Sequence, residues 1–155
     1  MTNDDPTDVK TLVESGRFQD ALALADARIE KTPEQPRLWA DKGWILFEMG
    51  DYAAANQSFT EALSRRPRGA TTLFFRAQCK EKTGDFQGAL DDYRSSIAIK
   101  PSSDALLNIG LILKYTGELG AARIAFAEAI GLEPTNQFAL GLLREFDSAA
   151  STPRG

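Results

Sequence analysis

The side chains that most often carry chemistry at neutral pH are nearly absent from this chain: among its 155 residues there is no histidine and one cysteine, Cys79. Without imidazole there is no Ser-His or Cys-His nucleophile pair, no histidine acid or base, and no ordinary zinc site. A lone thiol closes no intrachain disulfide. An enzyme built here would run on carboxylates, lysines or tyrosines alone. Cys79, beside Gln78 in a helical stretch, reads as packing. Asp91-Asp92 opens no metal loop and reads as a solvated face. Arg65-Arg66-Pro67-Arg68 is the densest basic cluster; it could meet an acidic partner or a phosphate, but its expected role is to complement the dipole of a helix C-terminus. No glycine-rich phosphate loop or dinucleotide fingerprint is present. No catalytic residue, metal or cofactor is therefore expected.

The 18 basic and 22 acidic residues leave a net charge of −4 and a pI near 4.9, which gives no overall field to hold a polyanion. Nucleic acid is not an expected partner. With 43% hydrophobic and 26% charged residues, the chain has enough apolar material to fold. Met1-Thr2-Asn3-Asp4-Asp5-Pro6 is acidic and polar where a signal peptide is basic and then apolar. No apolar run approaches the roughly 18 residues that cross a bilayer, so no membrane association and a cytoplasmic location are expected.

The elements that would position a site show themselves as a period. Pro33, Pro67, Pro101 and Pro134 recur at an almost constant step, the last one shorter by a single position, and Gly16, Gly50, Gly84 and Gly117 keep the same rhythm. Each glycine is followed two residues on by Phe18, Tyr52, Phe86 or Leu119, and three further by Ala21, Ala55, Ala89 or Ala122. Each unit reads as two amphipathic helices around a glycine turn: apolar residues recur at helical spacing on both sides, and each hairpin stops at a proline. In Gly50-Asp51 and Gly84-Asp85 the glycine supplies a left-handed residue and the aspartate caps the next helix. The spacing predicts helices over about 6–15, 18–31, 35–49, 52–65, 70–83, 86–99, 104–116, 119–132 and 136–148. These make repeats at about 6–33, 34–67, 68–101 and 102–134 with a capping helix at 136–148, between disordered ends at 1–5 and 149–155.

This pattern resembles the tetratricopeptide repeat, a helix-turn-helix unit of about 34 residues with the signature W-x2-L-G-x2-Y, A-x3-F, P. The second unit carries Trp39, Gly43, Leu46, Ala55, Phe59 and Pro67, and the fourth Leu106, Ile109, Gly110, Leu113, Ala122, Phe126 and Pro134. The third departs, with Arg76 and Lys80 at the leucine and tyrosine places, and the first has Asp5 and Ala25 at its tryptophan and phenylalanine places. The resemblance implies an all-α, right-handed superhelix of four hairpins plus a capping helix, and a protein partner. It assigns the signature residues to packing.

In such a superhelix the first helices of the repeats line a concave face. If Trp39, Gly43 and Leu46 point into the stack, the helical wheel turns Arg37, Asp41, Trp44 and Glu48 outward. Thr71, Phe75, Gln78 and Lys82 follow in the third unit, and Asp104, Asn108, Leu111 and Tyr115 in the fourth. Apolar rings rimmed by polar groups mark an interaction surface, here a groove for a peptide or helix of a partner. The terminal-carboxylate clamp of some chaperone-binding members is not matched, since its places hold Pro6, Lys10, Asp41, Thr71 and Phe75. Two alternatives accompany this reading: self-assembly through Leu140, Leu143 and Phe146 of the last helix, and a chaperone role toward a secreted protein.

Overall fold

The structure, a computed structural model, describes residues 8–150. Within them the helices are α1 (Val9–Glu14), α2 (Phe18–Lys31), α3 (Pro36–Glu48), α4 (Tyr52–Arg65), α5 (Ala70–Lys82), α6 (Phe86–Ile99), α7 (Ser103–Thr116), α8 (Leu119–Leu132) and α9 (Gln137–Ala150). From α2 to α8 the bounds agree with the sequence prediction to within one residue. α1 starts at Val9 rather than 6. α9 continues two residues past 148, as Ala149 and Ala150 have the highest helix propensity of any residue type. The disordered start expected at 1–5 lies outside the described residues, as do 151–155 of the tail expected at 149–155, whose residues 149 and 150 belong to α9.

The four turns share one geometry. Gly16, Gly50, Gly84 and Gly117 have φ of 72, 81, 85 and 88°, the left-handed region in which a side chain is strained. The amide after each glycine reaches back five residues: Arg17 to Leu12, Asp51 to Leu46, Asp85 to Lys80 and Glu118 to Leu113, at 2.8–2.9 Å. That bond satisfies a carbonyl the ending helix leaves open. Asp51 and Asp85 then accept from the amides of Ala54 and Gly88, opening α4 and α6.

Helices pair into the hairpins α1–α2, α3–α4, α5–α6 and α7–α8, and the hairpins stack through α2 on α3, α4 on α5, α6 on α7 and α8 on α9. Ala21, Ala55, Ala89 and Ala122, each on the second helix of its hairpin, are wholly buried. Phe59, Tyr93 and Phe126 fill the space between the layers. A Cβ added at Gly43 would stand 2.7 Å from the Phe59 ring, and one at Gly110 would meet Phe126. Outside this core, the Trp39 indole donates to the Pro33 carbonyl at 2.8 Å beneath the Arg65 guanidinium, which also binds that carbonyl at 2.7 Å. Arg65 therefore fastens a loop between repeats.

Two departures from the repeat pattern explain each other. Arg76 binds both carboxylate oxygens of Asp92 at 2.7 Å, and Lys80 approaches the same group at 2.9 Å. The Asp92 side chain is only 7% exposed, so it is a buried ionic centre between α5 and α6 and not the solvated face its sequence suggests. The neighbouring Asp91 is exposed.

Candidate binding groove

Asp41 and Trp44 on α3 face Thr71 and Phe75 on α5 across a cavity of about 290 Å³, closed by Ala40, Phe59 and Thr72. Four of the residues picked from the helical wheel, Asp41, Trp44, Thr71 and Phe75, thus share one depression on neighbouring first helices. Neither ring is swallowed by the solenoid. Trp44 is half-buried against the two N-terminal core clusters. Phe75 is half-buried too, edge-on to Phe47 at 5.5 Å and stacked on Phe59 at 6.1 Å. Packed from behind, both rings are held in place, and what remains open faces the cavity.

The Asp41 carboxylate supplies this apolar site with one polar group. Burial raises its pKa above the usual carboxylate range, against the pull of Arg37 and Arg28. Arg37 stands 3.7 Å away, and no hydrogen bond reaches the carboxylate among the described residues. A half-buried acceptor with open lone pairs, beside two rings, suits an N–H or O–H donor next to an apolar side chain.

The rest of the predicted stripe does other things. Asn108 donates to the Tyr93 hydroxyl at 3.1 Å, which donates to Glu81 at 2.9 Å. Burial, then the Glu81 charge, pushes the pKa of that phenol up, so Tyr93 stays a neutral donor. Leu111 packs on the C-terminal core. Tyr115, 76% exposed, lies on Phe86 at 5.0 Å, two residues before the Gly117 turn. Gln78 is half-buried and Lys82 exposed. In the last helix Leu143 and Phe146 pack against the core, with Phe146 5.8 Å from Phe126, while Leu140 is half-buried. Among the described residues the large apolar side chains exposed on α8 and α9 are Leu119, Ile124, Leu132 and Phe138. Cys79 is wholly buried, and burial raises its thiol to about 12, which fits packing and not nucleophilic chemistry. Among the described residues no three His, Cys, Asp or Glu gather as a metal site, and no helix is long and apolar enough to cross a membrane.

A second depression takes only Arg37 and Thr71 from the helical-wheel stripe. Next to the groove, sharing Ala40, Thr71 and Thr72 with it, a cleft of about 500 Å³ is bordered by Arg37, Arg66, Arg68 and Lys100. Its signal in the sequence is the repeat register, which sets Arg66 and Lys100 one full repeat apart, each just before a proline.

The tetratricopeptide-repeat profile matches residues 9–55, 40–104 and 103–136. Tetratricopeptide repeat protein 36 of Danio rerio is 36% identical over 140 residues, covering 86% of this chain and 73% of that protein. The chain spans much less, 14% and 27%, of two longer curated relatives that it also matches. Among solved structures, MamA from Desulfovibrio magneticus RS-1 superposes with a TM-score of 0.84 at 20% identity, over 92% of this chain and 81% of that one. The first tetratricopeptide domain of Spaghetti, solved bound to an HSP90 peptide, superposes with a TM-score of 0.70 at 23% identity, over 76% and 94%. Turns, register and buried signature residues agree with these matches: the chain belongs to the tetratricopeptide-repeat family, and its fold is that family's right-handed helical solenoid.

Proposed function

We propose that this chain is a non-enzymatic adaptor that holds a segment of a partner protein in the depression between α3 and α5. The observation that carries the reading is the cavity in which two half-buried rings, Trp44 and Phe75, flank the Asp41 carboxylate, which accepts no hydrogen bond among the described residues. A related domain solved with an HSP90 peptide supports the polypeptide character of the ligand. Magnitude limits what the site achieves alone. Ordering an extended segment costs about 2–5 kcal/mol, and an apolar anchor returns about 1.5–3 kcal/mol when fully buried. One anchor in one cavity leaves little surplus, so a useful affinity draws on Asp41 and on contacts beyond the cavity.

The test uses a partner segment identified by affinity capture and measured as a labelled peptide by fluorescence polarisation. Thr71→Trp fills the cavity from an exposed position, and Trp44→Ala removes one wall. Both are expected to weaken binding at least tenfold while the helical circular dichroism persists. Binding unchanged by Thr71→Trp would show that the segment lies elsewhere. A second reading, self-association through the outer surface of α8 and α9, is favoured by Ile124 and Phe138, 61% and 59% exposed. A mass by light scattering that stays at one chain over a dilution series sinks it.

A further inference from the structure

We infer that the cleft beside the groove is a second subsite, which takes the acidic side chains of the same bound segment. Four cations from three segments of the chain border it: Arg37 near the start of α3, Arg66 and Arg68 in the loop between α4 and α5, and Lys100 just after α6. Among the described residues no carboxylate lines it. Arg66, Arg68 and Lys100 make no ion pair or side-chain hydrogen bond among the described residues, and Arg37, with its side chain 86% exposed, has only the 3.7 Å contact to Asp41.

Helix dipoles account for half of this cluster. Arg66 and Lys100 follow helix C-termini, where cations are favoured. Arg37 and Arg68 stand at the starts of α3 and α5, where a cation opposes the dipole, and of the two only Arg37 has a carboxylate beside it, Asp41 at 3.7 Å. Both helices begin without a side-chain cap, at Gln35 and Gly69, so amide donors at the start of α5 remain open beside the hydroxyls of Thr71 and Thr72. Cations and open donors set around one cleft, in a chain of net charge −4, are complementary to an anion.

The breadth of the cleft and its continuity with the groove choose the ligand. About 500 Å³ bordered by cations from three segments suits two or three carboxylates along a chain more than one compact ion, and the shared residues Ala40, Thr71 and Thr72 make one path from the rings to the cations. The segment this fits is acidic at one end and apolar at the other. The inference depends on the groove reading for the apolar half only. It differs from the terminal-carboxylate clamp, whose places this chain fills with other residues.

The probes are two blocked heptapeptides, Glu-Glu-Glu-Gly-Ser-Leu-Phe and its counterpart with glutamine for each glutamate, titrated into the isotopically labelled full chain and followed by amide NMR shifts. The acidic peptide is expected to shift Ala70, Thr71 and Thr72 and to bind at least tenfold more tightly than the neutral one, with the difference shrinking as salt is raised. Arg66→Gln/Arg68→Gln and the reversal Arg66→Glu/Arg68→Glu alter exposed residues only, and each should remove most of that difference. Equal binding of the two peptides, no shift at millimolar peptide, or a preference that survives both double variants overturns the subsite. Displacement of the acidic peptide by inorganic phosphate at matched ionic strength overturns the carboxylate assignment. Trp44→Ala separates the two readings: if the groove is wrong, it leaves both affinities unchanged while the acidic preference still stands.

Discussion

Gly43 and Gly110 each lie under an aromatic ring of the paired helix, Phe59 and Phe126, and the first carbon added to either has to enter that ring. Gly141, in the middle of α9, has nothing within 4 Å of the same added carbon. Glycine-to-alanine changes should therefore split by position although the chemistry is identical. At Gly141 the substitution gains about 0.5–1 kcal/mol of helix propensity. At Gly43 and Gly110 overpacking of about 1–3 kcal/mol outweighs that gain and leaves a net loss. Urea midpoints of the three variants check this, and a gain at Gly43 equal to that at Gly141 would refute the close ring contact. Gly43 and Gly110 were legible from sequence because their neighbours recur at a fixed step. The role of Asn108 was not: a helical wheel sets it on the concave side, and only the fold shows the Tyr93 hydroxyl to which it donates.

Between α5 and α6, stability depends on an ionic centre in place of apolar packing. Arg76 and Lys80 stand where the repeat signature has leucine and tyrosine, and Asp92 answers both from the facing helix with 7% of its side chain exposed. Asp92→Ala leaves two cations, each 18% exposed, without their shared counter-ion and is expected to cost about 3–5 kcal/mol. Replacing all three by apolar residues, as Arg76→Leu/Lys80→Tyr/Asp92→Leu, removes the desolvation cost with the charges and should return stability to the parent level or above it. Chemical denaturation of the single and triple variants decides. A triple variant as unstable as Asp92→Ala would mean that the cluster supports the hairpin in some way apolar packing cannot replace. In the sequence, Arg76 and Lys80 read as a degraded repeat and Asp92 as half of a surface pair, because the glycine turn that separates Arg76 from Asp92 hides the compensation. The cationic cleft stayed hidden for the same reason: Arg37 and Lys100 belong to different repeats and converge only when hairpins stack.

Along the whole solenoid each hairpin is closed by its neighbours, so stability should vary along the chain instead of being uniform. The largest apolar cluster runs from α5 to α9, whereas at the other end α1 is six residues long and supplies Val9, Leu12 and Val13. Native-state amide exchange is expected to show greatest protection in α6 to α8 and least in α1. α9 makes that gradient possible. Its Ala139, Leu142, Leu143 and Phe146 cover the α7–α8 hairpin, and Lys114–Glu145 and Arg123–Asp147 pin it at 3.1 and 3.0 Å. The two ion pairs are largely exposed and contribute little, so the cap's effect rests on its apolar face. Removing residues 137–155 should uncover Phe126 and its surroundings, lower the protection of α7 and α8 towards that of α1, and raise the mass seen by light scattering as the uncovered face pairs with another copy. Charge-neutral changes at Glu145 and Asp147 should leave the gradient in place. If truncation leaves exchange in α7 and α8 unchanged, the last helix is an appendage and the hairpins before it hold themselves closed.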